Sequence, residues 1–202
     1  MYRRFGKRFF DFLVAGIVLL ATSPIFLIII VLLAWANHGS VFFLQSRPGF
    51  KERAFTVIKF KTMNNGRDGS GNLLPDNKRL TKLGRLIRKT SLDELPQLIN
   101  VLKNEMSVIG PRPLLFKYLP LYDKTQRRRH DIHPGITGWA QVNGRNSISW
   151  EQKFALDIYY VDNLSLMLDL KIIWLTIVKV IKREGVNQSA EMPMQPFTGN
   201  NR

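Results

Sequence analysis

The sequence predicts an α+β chain that is mainly helical: a re-entrant membrane helix hairpin, then a compact cytoplasmic domain with amphipathic interfacial helices and a small strand element. Three observations predict it. Residues 12–36 hold no ionisable side chain, four later stretches place apolar residues at helical spacing, and only residues 41–43 and Ala54–Phe60 read as short extended segments. The expected organisation is a membrane-inserted element over residues 1–40, kinked at Ser23 and Pro24, a cytoplasmic domain over 41–184 and a disordered tail over 185–202.

The first element rests on its length and its flanks. About 25 apolar residues at ~1.5 Å rise would cross a bilayer core of ~30 Å as one straight helix. Ser23 and Pro24 sit at the midpoint, where proline removes a backbone donor and clashes with the carbonyl four residues earlier, so a bend is expected there. Arg3, Arg4, Lys7 and Arg8 precede the stretch, while Arg47, Lys51, Arg53, Lys59 and Lys61 follow it, so cytoplasmic-side charge lies at both ends. A helix that enters, turns and returns keeps both flanks on one face. A straight span is the alternative, since spanning helices tolerate proline. A secretory signal is disfavoured because its apolar core lasts only ~7 to 15 residues.

The formal charge of +15, from 30 Lys+Arg against 15 Asp+Glu in 202 residues, points to anionic partners: phospholipid headgroups, phosphate-bearing substrates or nucleic acid. Beside so long an apolar stretch, lipid and phosphate are favoured. Cysteine is absent, which excludes disulfides, thiolate nucleophiles and cysteine-ligated metal. His38, His130 and His133 do not form a zinc pattern.

In chain order, Gln45-Ser-Arg-Pro-Gly49 separates the two extended segments and reads as a turn. Lys59 and Lys61 share one face of the second, as a solvated basic face or with Lys59 on a phosphate. Residues 64–77, rich in Asn, Gly, Asp and Ser, read as an exposed loop. Residues 78–90 make a basic amphipathic helix, lying on an anionic membrane surface or on the domain's own core. The next helix opens at Ser91, with Leu92, Leu95, Leu98, Ile99 and Leu102 as its apolar stripe and Pro96 in its first turn. Ser91 and Glu94 fit a capping box. Asp93 and Glu94 are also an adjacent carboxylate pair among cations, where an Asp should stay ionised as a nucleophile or metal ligand must.

Two prolines and a glycine around Arg112 make a rigid turn able to hold a guanidinium for a phosphate. Residues 124–129 are a basic run read as a solvated face. Residues 133–145, with glycines at 135, 138 and 144, read as a binding loop rather than a core element. Residues 150–163 predict a helix with Phe154, Ile158 and Val161 inward and Asp157 as a buried-side acid. Residues 164–183 predict an interfacial helix, because Lys171, Lys179 and Lys182 would be costly within a bilayer.

Taken together, the basic N-terminus, the Ser-Pro break, FKTM at 60–63, SLDELPQLINVLKNEMSVIGPRP at 91–113 and PGITGWAQVNGR at 134–145 resemble the bacterial sugar transferase family, and within it the small monotopic phosphoglycosyl transferases. The resemblance implies that residues 41–184 form a catalytic domain at the cytoplasmic face of the bacterial inner membrane. It implies transfer of a sugar 1-phosphate from a UDP-sugar, UDP-N,N'-diacetylbacillosamine above all, to undecaprenyl phosphate, with release of UMP. Asp93 would form a covalent phosphosugar intermediate, Glu94 would assist, and both would hold Mg2+. Lys59, Arg88, Arg112, Gln141, Arg145 and Asp157 are the implied substrate-binding residues, although on the residues alone Asp157 could equally pair with an arginine. The implied partners are an anionic phospholipid membrane and downstream glycosyltransferases in protein glycosylation. The competing class is a membrane-anchored basic protein that binds nucleic acid or anionic lipid without catalysis. Against it, the basic residues are dispersed and no nucleic-acid motif is present, so nucleic acid is not an expected partner.

Overall fold

The computed structural model describes residues 2–144, 147–182 and 195–199. After a short π-helical turn, Tyr2–Gly6, helices α1 (Lys7–Ala21) and α2 (Ser23–Ala36) meet at Thr22 with a bend of 64°. Pro24 lies in the first turn of α2, where its missing N–H has no intrahelical partner to lose. The break satisfies its own carbonyls: Thr22 Oγ1 donates to Val18 O at 2.7 Å and Ser23 Oγ to Leu20 O at 2.8 Å. No single helix among the described residues is long and apolar enough to cross a membrane; only the bent pair, taken together, has the length and composition of a span or of a re-entrant loop. The expected division at residue 40 is not a division in packing. Ala15 is fully buried in the main core, with Phe10, Val14 and Val18 against it, while Phe9, Leu13, Ile17, Leu27, Ile28, Val31 and Trp35 face outward.

Strands β1 (Phe42–Pro48) and β2 (Ala54–Phe60) form an antiparallel pair with Phe42 opposite Phe60 and Pro48 opposite Ala54. The first strand therefore runs through the residues read as a turn, and the chain reverses later, at Gly49 to Arg53, where Gly49 N donates to Arg53 O. The single helix expected over 78–90 is two: α3 (Asp76–Arg79) and α4 (Lys82–Lys89). Leu80 is extended and bridges Met63, and the Thr81 hydroxyl accepts from Gly84 N, a local cap that starts a helix rather than continuing one.

A 3₁₀ turn, Leu92–Glu94, leads to α5 (Gln97–Leu102) and to β3 (Ser107–Ile109). After α6 (Lys124–Arg127), β4 (Gly135–Thr137) pairs in parallel with β3 and runs into α7 (Trp139–Val142). The stretch expected as a loop is thus core: Ala140 and Val142 are buried, and a Cβ on Gly135 would stand 2.0 Å from Gly110 N. Its glycines are there for backbone contact within the fold. The basic run is corrected too, since Arg129 is buried against Asp157 while Lys124, Arg127 and Arg128 stay at the surface.

Helix α8 (Trp150–Asp162) opens with a Ser149–Gln152 capping box and buries Phe154, Asp157, Tyr160 and Val161. Along α9 (Leu166–Lys182), Met167, Leu170, Trp174, Ile177 and Ile181 are exposed at helical spacing, while Ile172 and Asp169 are buried. The disordered tail expected over 185–202 is corrected at residues 195–199: Phe197 enters an aromatic cluster with Tyr118, Tyr122, Trp150 and Phe154, and Trp150 Nε1 donates to Gln195 O. Residues 185–194 and 200–202 lie outside the described residues.

Charged groups join α1 to the domain. Asp11, fully buried, accepts from Lys7, Arg8, Ser107 Oγ and Val108 N, and Asp169 accepts from Tyr2, Lys7 and Tyr160. Each buried carboxylate is surrounded by donors, the condition under which burying charge is tolerated.

Candidate active site

Three segments converge on one carboxylate. Strand β2 delivers Lys59 near its end, the 3₁₀ turn delivers Glu94, and the loop after β3 delivers Arg112. Lys59 Nζ donates to Glu94 Oε1 at 2.7 Å, and Arg112 Nη2 donates to the same oxygen at 2.5 Å. Burial would raise the Glu94 pKa, but Arg112 and Lys59 outweigh it and hold the carboxyl well below its usual range. Burial lowers Lys59, with Glu94 opposing, and the Glu94 charge raises Arg112.

This pairing displaces the expected capping box. Ser91 takes a left-handed conformation (φ 57°) and makes no cap bond, and Glu94 turns toward the cations instead. Two charge-assisted bonds outweigh a single cap, worth ~1 kcal/mol.

Asp93, the residue before Glu94, has no hydrogen-bond or ion-pair partner among the described residues. Burial, and then the neighbouring Glu94 charge, push its pKa up to about 6, against the pull of Lys59, Arg88 and Arg112. The adjacent acids are thus driven apart: Glu94 is a fixed anion that holds cations in place, and Asp93 is ionised at neutral pH with its oxygens uncommitted. Arg88 is oriented by a bond from Nε to Thr62 Oγ1 at 2.8 Å.

Asp157 and Gln141 do not join this group. Asp157 is buried against Arg129, which donates to it from Nε and Nη2 and also donates from Nη2 to Arg112 O at 2.7 Å. It therefore supports Arg112 through an arginine. Gln141 lies on α7 beside the Gly138 backbone, and its amide N and O are both buried without a partner among the described residues. Arg145 lies outside the described residues. Burial first, and then Arg129 for His130 and Arg8 for His133, lower both histidines to about 4, so each is neutral near pH 7. Among the described residues no three His, Asp or Glu side chains form a metal-holding group.

Three residues near the site are not singled out by the sequence. Arg129 was placed with a solvated run, and nothing local distinguishes it from Arg127 or Arg128. Arg47 and Gln45 fall in the stretch that reads as a turn, because Pro48-Gly49 marks the reversal and residues 42–47 carry no apolar–polar alternation.

A model of the bacterial sugar transferase family matches residues 2–183. The chain is 56% identical over 193 residues to the uncharacterized sugar transferase EpsL of Bacillus subtilis, covering 96% of each chain. It is 38% identical over 197 residues to the exopolysaccharide production protein ExoY of Sinorhizobium fredii, covering 89% of this chain and 87% of the relative. It is also 38% identical over 187 residues to the UDP-glucose:undecaprenyl-phosphate glucose-1-phosphate transferase of Xanthomonas campestris pv. campestris, covering 87% of this chain and 39% of that longer relative.

Proposed function

Since the chain belongs to the bacterial sugar transferase family and is a transferase of a phosphorylated sugar, we propose that it moves a sugar 1-phosphate from a UDP-sugar to undecaprenyl phosphate through a covalent intermediate on Asp93. The observation that carries this reading is the asymmetry of the acid pair: Glu94 is committed to Lys59 and Arg112, while Asp93 is uncommitted and ionised above about 6.

An Asp93 oxygen attacks the sugar-bearing phosphorus, the bond from that phosphorus to the bridging oxygen breaks, and UMP leaves with the electron pair. A phosphate oxygen of the polyprenyl acceptor then attacks the same phosphorus and the aspartyl–phosphorus bond breaks, restoring the carboxylate. Lys59 and Arg112 are held by Glu94 before substrate arrives, so positive charge is in place without reorganisation. Arg88 adds a third cation near Asp93. Mg2+ would be held by the uncommitted Asp93 oxygens together with substrate phosphates and would supply charge neutralisation for the diphosphate; Glu94 would be the poorer ligand because two cations occupy it.

The exposed apolar rows of α1, α2 and α9 support a monotopic placement at the cytoplasmic face of the inner membrane, with both basic flanks toward anionic headgroups. The product would pass to downstream glycosyltransferases in glycoconjugate assembly. UDP-N,N'-diacetylbacillosamine with protein N-glycosylation is one donor and destination; relatives named for glucose and for exopolysaccharide production favour a hexose and a polysaccharide.

The test is UMP release from a panel of UDP-sugars with undecaprenyl phosphate, with Mg2+ or with chelator, for wild type and Asp93→Asn. Release that needs both Asp93 and metal supports the reading and ranks the sugars. Release that survives Asp93→Asn sinks the covalent route.

A further inference from the structure

The antiparallel register sets Phe43 opposite Lys59, Gln45 opposite Val57 and Arg47 opposite Phe55, and directly opposed residues share a sheet face. On that face Phe55 and Val57 are buried in the main core and Lys59 meets Glu94. Arg47 therefore extends the site's own row of side chains.

Its surroundings are unusual for a partly buried cation. Arg112 and Arg129 each meet a carboxylate, whereas Arg47 donates from Nη2 to Gln45 Oε1 at 2.6 Å and no acid pairs with it among the described residues. The next residue, Pro48, lines one small hollow with Pro111, Arg112 and Pro113. Burial and then the Arg112 charge lower the Arg47 pKa, with Tyr118 and Tyr122 opposing, so the two guanidinium groups act on one another. Lys59, Arg88, Arg112 and Arg47 stand against Asp93 and Glu94, a surplus of two positive charges.

The strand also has a direction. At its start Phe42 stacks on Phe60, which packs on Phe26 of α2, and Phe42, Phe43 and Leu44 are exposed. Arg47 lies four residues beyond Phe43, about 13 Å along the strand. A lipid phosphate would arrive from the apolar end, leaving the Arg47 end to the water-soluble reactant.

We propose that Arg47, aimed by Gln45, forms with Arg112 a two-guanidinium subsite for the phosphate of the departing nucleotide. The assignment rests on the reaction proposed above and adds which residues hold its leaving group. Arg47 contacts the nucleotide phosphate, and Gln45 is a positioning residue that fixes the guanidinium plane for bidentate contact.

Calorimetric titration of UMP into the full-length protein in nanodiscs, with the acceptor KM measured alongside, tests it. Arg47→Gln should weaken UMP binding tenfold or more, Arg47→Lys should recover part of the loss by restoring charge without the fork, and Gln45→Ala should weaken it severalfold. The acceptor KM should stay within about twofold, as separate subsites require. Unchanged UMP affinity in Arg47→Gln, or a raised acceptor KM with nucleotide affinity intact, would overturn the subsite while leaving the reaction standing. A wild type that neither binds UMP nor releases it from any UDP-sugar would overturn the reaction and the subsite together. Should Arg47→Gln unfold, Arg47→Lys decides: affinity equal to wild type counts against the subsite.

Discussion

Arg129 supports Arg112 through the main chain: one nitrogen, Nη2, donates to Arg112 O at 2.7 Å and to Asp157 Oδ2 at 2.8 Å. The arginine that meets Glu94 is therefore backed by a second, fully buried one, and Asp157 neutralises it.

Removing that acid should be costly. Asp157→Ala leaves a buried guanidinium uncompensated, a change worth about 3–5 kcal/mol. Thermal unfolding should show a fall of about 6–20 °C for a chain of this size. UMP release at a permissive temperature should fall as well, because the 111–113 turn loses its support.

Asp93→Asn should abolish turnover and stabilise the fold. The Asp93 pKa is raised to about 6, so stability present below the ordinary carboxylate value is lost as pH rises through 6. Asparagine does not carry that cost, which after allowance for partial exposure is on the order of 1–2 kcal/mol. Melting curves at pH 7.5 should show a gain of a few degrees that disappears near pH 4.

Glu94→Gln separates the two acids. The Glu94 charge raises the Asp93 pKa, and the cations lower it. Neutralising Glu94 should therefore move the acid limb of the UMP-release profile from about 6 toward the ordinary carboxylate range. The maximum rate should also fall, as Lys59 and Arg112 lose their shared anchor. An unmoved acid limb would show that another group controls it.

Gly135→Ala should prevent folding, since its Cβ would stand 2.0 Å from Gly110 N and 2.4 Å from Thr137 O, backbone atoms that cannot move aside. Gly16→Ala, where a Cβ meets nothing within 4 Å, serves as the control. Yield of folded protein and circular dichroism distinguish the two.

Membrane placement is tested with single cysteines introduced near residues 5 and 70 of this cysteine-free chain. Both should be shielded from a periplasmic thiol reagent in intact cells. Labelling at residue 5 alone would establish a straight span.

What could be read from sequence followed the range of the physics. The helix break beside Pro24 is a local effect of one ring and one missing donor, and it is marked by its residue type. Asp93, Glu94 and Arg112 stood out because an acid pair amid cations and an arginine between prolines are visible over a few residues. Their partners were not visible. Glu94 fits a capping box until Lys59, 35 positions earlier, is brought beside it, and Arg129 resembles its basic neighbours until Asp157 arrives 28 positions later. The glycines at 135 and 138 pointed to a ligand because sequence shows that backbone approaches something closely, without showing that the something is Gly110.

The carboxylate of Asp11 gives the anchoring of α1 a mechanical meaning. It grips Ser107 and Val108, and the loop that leaves this short strand runs through Gly110 to Arg112, so the helix pair and the cation on Glu94 are tied to one segment of chain. With the pair embedded as proposed, a thinner leaflet forces it to lie flatter, and that tilt is delivered to β3 through charged contacts that resist slipping. Lipid thickness then acts on the spacing between Arg112 and the nucleophile, and the turnover rate should vary with the acyl-chain length of the surrounding membrane.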